Sequence, residues 1–232
     1  MTDAEHTASM EPEGRSARPQ DPDGTRRNII EVAIREFAEH GLAGARIDEI
    51  AAKTKSSKRM IYYYFGDKNG LYLRALEAAY EEVRAGEAGL ALGHLPPVDA
   101  LRRLIEFTFD HHNSHQNFIR LVMIENIHRG AYVDRSTEIQ RLNAGAIGNL
   151  EQIYRRGTAA ALFRAGLSPM DLHWQISALC FFNVSNRATF SKIFGGDLGS
   201  AQKQAELRAC TVETILRYVL SPQGIAASFD GA

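Results

Sequence analysis

IDEIAAKTKSSKRMIYYYF, residues 47–65, decides how this chain is read. Ile47, Ile50 and Ala51 recur at the three-to-four spacing of a buried helical stripe. Polar residues follow from Lys53 to Ser57, and a third short helical pattern then runs from about Lys58 to Tyr64, with Ile61 and Phe65 inward. Two short helices joined by a three-to-four-residue turn make a helix-turn-helix, whose second helix enters the major groove of DNA. Ser57, Lys58, Arg59 and Met60 occupy the exposed first turn of that second helix. Tyr62, Tyr63 and Tyr64 cannot all face a core, because each ring is apolar and each hydroxyl needs a partner. Successive residues turn by ~100° on a helix, so one ring can point inward while the other two face a duplex.

Charge on this segment runs against the chain as a whole. Arg46, Lys53, Lys55, Lys58, Arg59 and Lys68 oppose Asp48, Glu49 and Asp67, so six minus three gives +3 over residues 46–68, while the full 232-residue chain carries −1. Neutralising phosphates supplies most non-specific DNA affinity, so the local excess is the relevant figure. Tyrosine hydroxyls donate to phosphates as well, and their rings lie against sugars or thymine methyls.

Outward from this segment the helical pattern hardly stops. Ile29, Ile30, Ala33 and Phe37 form an apolar stripe that Gly41 is placed to end, and Asp67 is placed to cap a helix through Leu71, Leu73, Leu76 and Tyr80. Pro96 and Pro97 suit a helix entrance. Helical spacing continues through residues 117–128 and from about Asp134 to Arg164, where Gly166 stops it. Ser168 and Pro169 start a helix holding LHWQISALCFFNVSNRATF, and AELRACTVETILRYVL is the last helix. No segment alternates with period two, and no repeat of 20 to 50 residues occurs. The expected fold is all-α with about nine helices. It divides into a disordered tail over 1–24, a helix-turn-helix domain over 25–70, a larger helical domain over 71–222 and a C-terminal tail over 223–232.

Composition excludes several classes. Cys180 and Cys210 sit among apolar neighbours and read as small core residues, not as a disulfide framework or zinc site. The first two dozen residues have no apolar signal-peptide core, and no apolar run approaches the ~20 residues of a membrane span, so the expected location is cytoplasmic.

The stretch IIEVAIREFAEHGLAGARIDEIAAKTKSSKRMIYYYFGDKNGLY, residues 29–72, resembles the N-terminal DNA-binding domain of the TetR family of bacterial transcriptional regulators. The features that carry the likeness are Ala33 and Phe37 before Gly41, then Ile50-Ala51, then Ser57, Ile61, Tyr62 and Phe65, and finally Lys68 and Leu71. The resemblance implies phosphate contacts from Tyr62, Tyr64 and Lys68, and base or backbone contacts from Ser57, Lys58, Arg59, Met60 and Tyr63. Arg46 stands where the family usually has a capping Ser or Thr, and its side chain can reach a phosphate. Lys55 and Ser56 replace the usual Gly-Val of the turn, which puts a strained lysine at a left-handed position.

The same resemblance implies a C-terminal helical domain that binds a small-molecule effector and forms a homodimer, with residues 169–194 and 201–220 as the interface candidates. A two-fold dimer would read an inverted repeat of double-stranded DNA. No cofactor and no membrane partner are expected. For the ligand pocket, Phe107, Phe118, Met123, Trp174 and Phe181 are candidate apolar walls, and His111, Glu125, Asn126, His128, Asn183, Asn186 and Arg187 are candidate polar groups. His111/His115 and Glu125/His128 have metal-ligand spacing on a helix, but only one Glu-x-x-His motif is present where a di-iron site needs two. The leading reading is a ligand-responsive repressor. The alternative is an all-helical enzyme or small-molecule-binding protein with a vestigial helix-turn-helix, against which stands the lack of a nucleophile–base pair or phosphate-cradling glycine loop.

Overall fold

A computed structural model of the chain describes residues 21–229, and the regular elements among them are helices. α1 (Pro22–Gly44) starts with Pro22 in its first turn and Asp21 as its cap, the carboxylate accepting the Gly24 N–H at 2.9 Å. Its regular part ends at Gly41, where a φ of 68° suits a residue without Cβ. α2 (Ile47–Thr54) and α3 (Lys58–Phe65) follow, each short and two-faced. α4 (Lys68–Ala88) is capped by Asp67, whose Oδ1 accepts the Gly70 N–H at 2.7 Å. Then come α5 (Pro97–Ser114), α6 (Gln116–Ile127), α7 (Thr137–Ala159), α8 (Pro169–Ser185), α9 (Arg187–Phe194), α10 (Ala201–Val219) and α11 (Pro222–Phe229).

Two apolar cores hold these helices. The first gathers Ile29, Phe37, Ile50, Ile61, Leu71 and Tyr72 from α1–α4, together with Ile119 and Leu121 of α6. The second gathers Leu101, Ile105, Phe109, Leu150, Ile176 and Leu216 from α5, α7, α8 and α10. Burying one such side chain contributes about 1.5–3 kcal/mol, so each core is a substantial unit. α6 packs on α1 and α4 on one side and on α5 and α8 on another, so it is shared by both halves, and α4 also packs on α7.

Several expectations are corrected. The helix count is eleven among the described residues, not about nine, because the long helix after Pro169 breaks at Asn186 and because a further helix, Pro222–Phe229, runs into the tail expected from residue 223. Ser221 starts that last helix by accepting the Gly224 N–H at 3.0 Å, ahead of Pro222 in the first turn. Residues 21–24 of the expected N-terminal tail are the cap and first turn of α1, and residues 1–20 lie outside the described part. The first core continues through Val83 and into α6, so residue 70 is no packing boundary.

α7 stops at Ala159, short of Arg164, for a local reason. The Phe163 ring folds back over Gly157, where an added Cβ would come within 2.1 Å of it. The N–H groups of Leu162 and Phe163 both donate to the Gly157 carbonyl, and Phe163 pairs antiparallel with Leu220. Gly166 therefore lies in the following loop. Cys180 is buried as expected, but Cys210 is exposed on α10. Among the described residues, no helix is long and apolar enough to cross a membrane, and no three His, Cys, Asp or Glu are placed to hold a metal ion.

Candidate nucleic-acid interface and ligand cavity

The turn between α2 and α3 has the geometry that the sequence demanded. Lys55 sits at φ 52°, ψ 30°, a left-handed residue with a Cβ. Ser57 caps α3, its hydroxyl accepting the Met60 N–H at 3.1 Å. Ile61 and Phe65 are buried in the first core, where α3 packs on α4 and α2, and this fixes which face of α3 remains outside. That face carries Arg59, Tyr62 and Tyr63, with Tyr63 83% exposed. Tyr64 turns inward onto the first core, so the three rings divide one in, two out.

Not every cation nearby is equally free. Lys53 donates to Glu36 at 2.7 Å, tying α2 to α1. Burial works to raise the Glu36 carboxyl, but the hydrogen bond and charge of Lys53, with help from the Arg46 backbone and His40, lower it overall. Lys58 pairs with Asp48 across the turn, with both side chains about half exposed, a pair that exchanges readily for a phosphate. Lys68 donates to the Ala43 carbonyl at 3.2 Å. Arg46, Lys55 and Arg59 are exposed and have no ion-pair partner among the described residues. Met60 is half-buried.

A cavity of about 380 Å³ lies among α4, α5, α6, α7 and α8. Four of the sequence candidates line it: Phe118, Asn126, Trp174 and Phe181. The other eight do not. Glu125 is buried on another side of α6, accepting from the Tyr72 hydroxyl at 2.9 Å and from the N–H groups of Tyr132 and Val133 at 3.1 and 3.2 Å. Asn183, Asn186 and Arg187 serve the α8–α9 junction: Arg187 donates to Asn113 and Gln204, Asn183 exchanges hydrogen bonds with Gln204, and Asn186 donates to Ser185. Phe107 covers Gly86, and His111 stacks on His115 with ring centroids 4.0 Å apart. Met123 and His128 face solvent.

The cavity's polar groups are instead Arg84 and Glu87 of α4, Thr108 and His112 of α5, Asn143 of α7, and His173 and Ser177 of α8, with Tyr80, Val83 and Val122 as further wall. Arg84 donates to Glu87 at 2.5 Å and to Asn143 at 2.8 Å, and its Nε is enclosed without a partner. Burial, then the neighbouring positive groups, pushes His112 down to about 3. Burial, then Arg84, pushes His173 down to about 4. Both rings are therefore neutral at pH 7. His112 follows His111 directly, so spacing alone marked the wrong member of the pair.

On the outer face, α8 and α9 expose the large apolar side chains Met170, Leu179, Phe182, Phe190, Ile193 and Phe194, and Trp174 of the cavity wall is itself 76% exposed.

Known proteins match this layout along most of the chain. Residues 29–75 match the model for bacterial regulatory proteins of the tetR family, and residues 97–215 match the tetracyclin repressor-like C-terminal domain. The HTH-type transcriptional repressor NicS of Pseudomonas putida is 37% identical over 82% of this chain and 89% of its own length. The HTH-type transcriptional repressor SCO4008 of Streptomyces coelicolor is 33% identical over 60% of this chain and 69% of its own. A transcriptional regulator from Saccharomonospora viridis, solved in complex with choline, shares the fold at a TM-score of 0.67, with 19% identity over 86% of this chain and 99% of its own.

Proposed function

The chain belongs to the TetR family of bacterial transcriptional regulators, and from that premise we propose that it is a homodimeric repressor which leaves an inverted-repeat operator when a small molecule enters the cavity beneath α6. The observation that carries the DNA half is the outward face of α3. Arg59, Tyr62 and Tyr63 stand clear of the subunit because Ile61, Tyr64 and Phe65 hold the other side of the same helix in the core. Arg59, Lys58 and Tyr63 would meet base edges or adjoining backbone, with Met60 beside them. Arg46, Lys55, Ser57, Tyr62 and Lys68 would meet phosphates, which fix register but carry no sequence information. Residues 25–70 would thus form the DNA-reading unit, with residues 71–222 serving ligand and partner.

One such helix reads too few bases for useful specificity, whereas two related by a dyad read half-sites about 34–36 Å apart or a multiple of that. The exposed apolar residues of α8 and α9 supply the surface a second copy would cover. Small-molecule control would run through α6. Phe118, Val122 and Asn126 line the cavity, while Glu125 on the same helix grips Tyr72 of α4, four residues beyond Lys68. A ligand changes DNA affinity only by the difference in its own affinity for the two conformations. The test is recovery of genomic fragments bound by the purified protein. An inverted repeat common to those fragments, lying close to the protein's own gene, is expected. Fragments without shared symmetry would reject the reading.

A further inference from the structure

The cavity beneath α6 has a polar inventory that selects among ligand charges. Its one carboxylate, Glu87, has both oxygens on the Nη1 of Arg84. Among the described residues, the lining groups left without a hydrogen bond include the Nε–H of Arg84, which can only donate, and the rings of His112 and His173, the Asn126 amide and the Ser177 hydroxyl, which can donate as well as accept. His112 is 93% buried, taking its 7% exposure from the whole, and its Nδ1 is enclosed without a partner.

The field points the same way. After burial, the positive charge of Arg84 helps to hold both the His112 and the His173 rings neutral. The Nε and Nη2 of an arginine form a side-on fork that matches a carboxylate. This molecule already uses that fork elsewhere, where Arg208 holds Asp110 with two bonds of 2.9 Å. On Arg84 the Nη2 of the same fork holds only the neutral Asn143. The walls are aromatic, from Tyr80, Phe118, Trp174 and Phe181, and the volume of about 380 Å³ is near the small end of ligand sites.

We propose that the cavity takes a small organic acid, a carboxylate on a flat apolar body, whose anion is received by Arg84 and the His112 ring while the body lies against Phe118, Trp174 and Phe181. This rests on the reading of the cavity as the effector site. A positively charged ligand would find aromatic faces but no free carboxylate, since both Glu87 oxygens are held by Arg84.

Trp174 is the chain's one tryptophan and stands on the cavity wall, so its fluorescence reports occupancy. The full chain is titrated at pH 7 with three probes of one shape: sodium benzoate, benzamide and benzyltrimethylammonium chloride. Calorimetry accompanies each titration. Benzoate is expected to bind at least tenfold tighter than benzamide and tighter still than the cation. His112→Phe, which keeps the ring volume and removes the donor, is expected to weaken benzoate about tenfold and leave benzamide unchanged. Equal affinities, or preference for benzamide or the cation, overturn the acid assignment and leave the cavity standing as the effector site. Absence of heat and of any fluorescence change with all three probes overturns both readings together. Should His112→Phe fail to fold, the ranking of the three probes on the unaltered chain decides the matter alone.

Discussion

Breaking the contact between Tyr72 and Glu125 is expected to weaken the fold and to uncouple the two halves of the molecule. The Tyr72 side chain is fully buried, and its hydroxyl donates to a Glu125 oxygen at 2.9 Å. Burial, reinforced by Glu125, holds the phenol far above its ordinary range, so it remains a donor throughout the working pH. Tyr72→Phe keeps the edge-on contacts with Phe37 and Tyr132, both at 5.0 Å, and removes only the hydroxyl. A hydrogen bond to a charged group is worth about 1.5–3 kcal/mol, so the loss should be about 2 kcal/mol. Glu125→Gln leaves one oxygen for the Tyr132 and Val133 N–H groups, turning those two charge-assisted bonds into neutral ones, and sets an amide NH2 against the Tyr72 hydroxyl, which must then accept, at a cost of about 1–2 kcal/mol. Glu125→Ala strands all three donors together and should cost about 3–5 kcal/mol. Because Tyr72 and Glu125 share one bond, the Phe/Gln double variant should lose less than the sum of the singles by about 1 kcal/mol. Urea unfolding followed by circular dichroism measures these losses. Operator binding with and without effector measures the coupling, and the effector's fold-effect should shrink in Tyr72→Phe. An unchanged urea midpoint together with strict additivity would refute the energetic argument. An unchanged effector response in a destabilised Tyr72→Phe would refute the transmission argument, since a route is established only by measured coupling.

Other perturbations test other parts. Arg59→Ala should weaken operator binding and relax preference at particular bases by about 1–3 kcal/mol, whereas Lys68→Ala should weaken all duplexes alike; equal losses on operator and random DNA for both variants would reject the division of roles. Acid should destabilise the fold through its buried imidazoles. His111, His112 and His173 are lowered from 6.5 to about 4, 3 and 4, so the unfolded chain takes up protons first. Their stabilisation is complete above pH 6.5 and is lost as pH falls toward those folded values, at up to about 1.4 kcal/mol per pH unit for each ring. His112→Phe should remove about one third of that slope in urea melts between pH 5 and 6.5, and an unchanged slope would contradict it. Gly157→Ala puts a methyl within 2.1 Å of the Phe163 ring and should cost about 1–3 kcal/mol by thermal or urea unfolding, while the same change at Gly148, where an added Cβ meets nothing within 4 Å, should not.

How much of this was legible depended on whether a residue's role was local. Asp67 and Ser57 cap helices through contacts three residues away, and Ile61 and Phe65 follow a simple stripe, so the helix-turn-helix could be read along the chain. Even the unexpected α11 was announced by Ser221-Pro222, the same pairing that starts α8 at Ser168-Pro169. The cavity was harder because its decisive contacts are long-range. Glu125 looks like a candidate ligand group until Tyr72, 53 residues earlier, is seen to occupy it. Asn183 and Arg187 are likewise taken by Gln204. α8 is apolar nearly all round, so periodicity could not tell its cavity face from its outer one, and His173 and Ser177 went unnoticed beside Trp174 and Phe181. Arg84 and Asn143 had no signal in their own segments, since their meeting spans 59 residues.

The most direct test of the central claim, that α3 presents a DNA-reading face, is fluorescence anisotropy of the protein with an inverted-repeat duplex from upstream of its gene, across a range of salt. With three cationic phosphate contacts, Arg46, Lys55 and Lys68, from each of two copies, log affinity should fall against log salt with a slope of about −5. The inverted repeat should also outcompete a scrambled duplex by about a thousandfold or more. A slope near zero, or equal affinity for the scrambled duplex, would contradict the account.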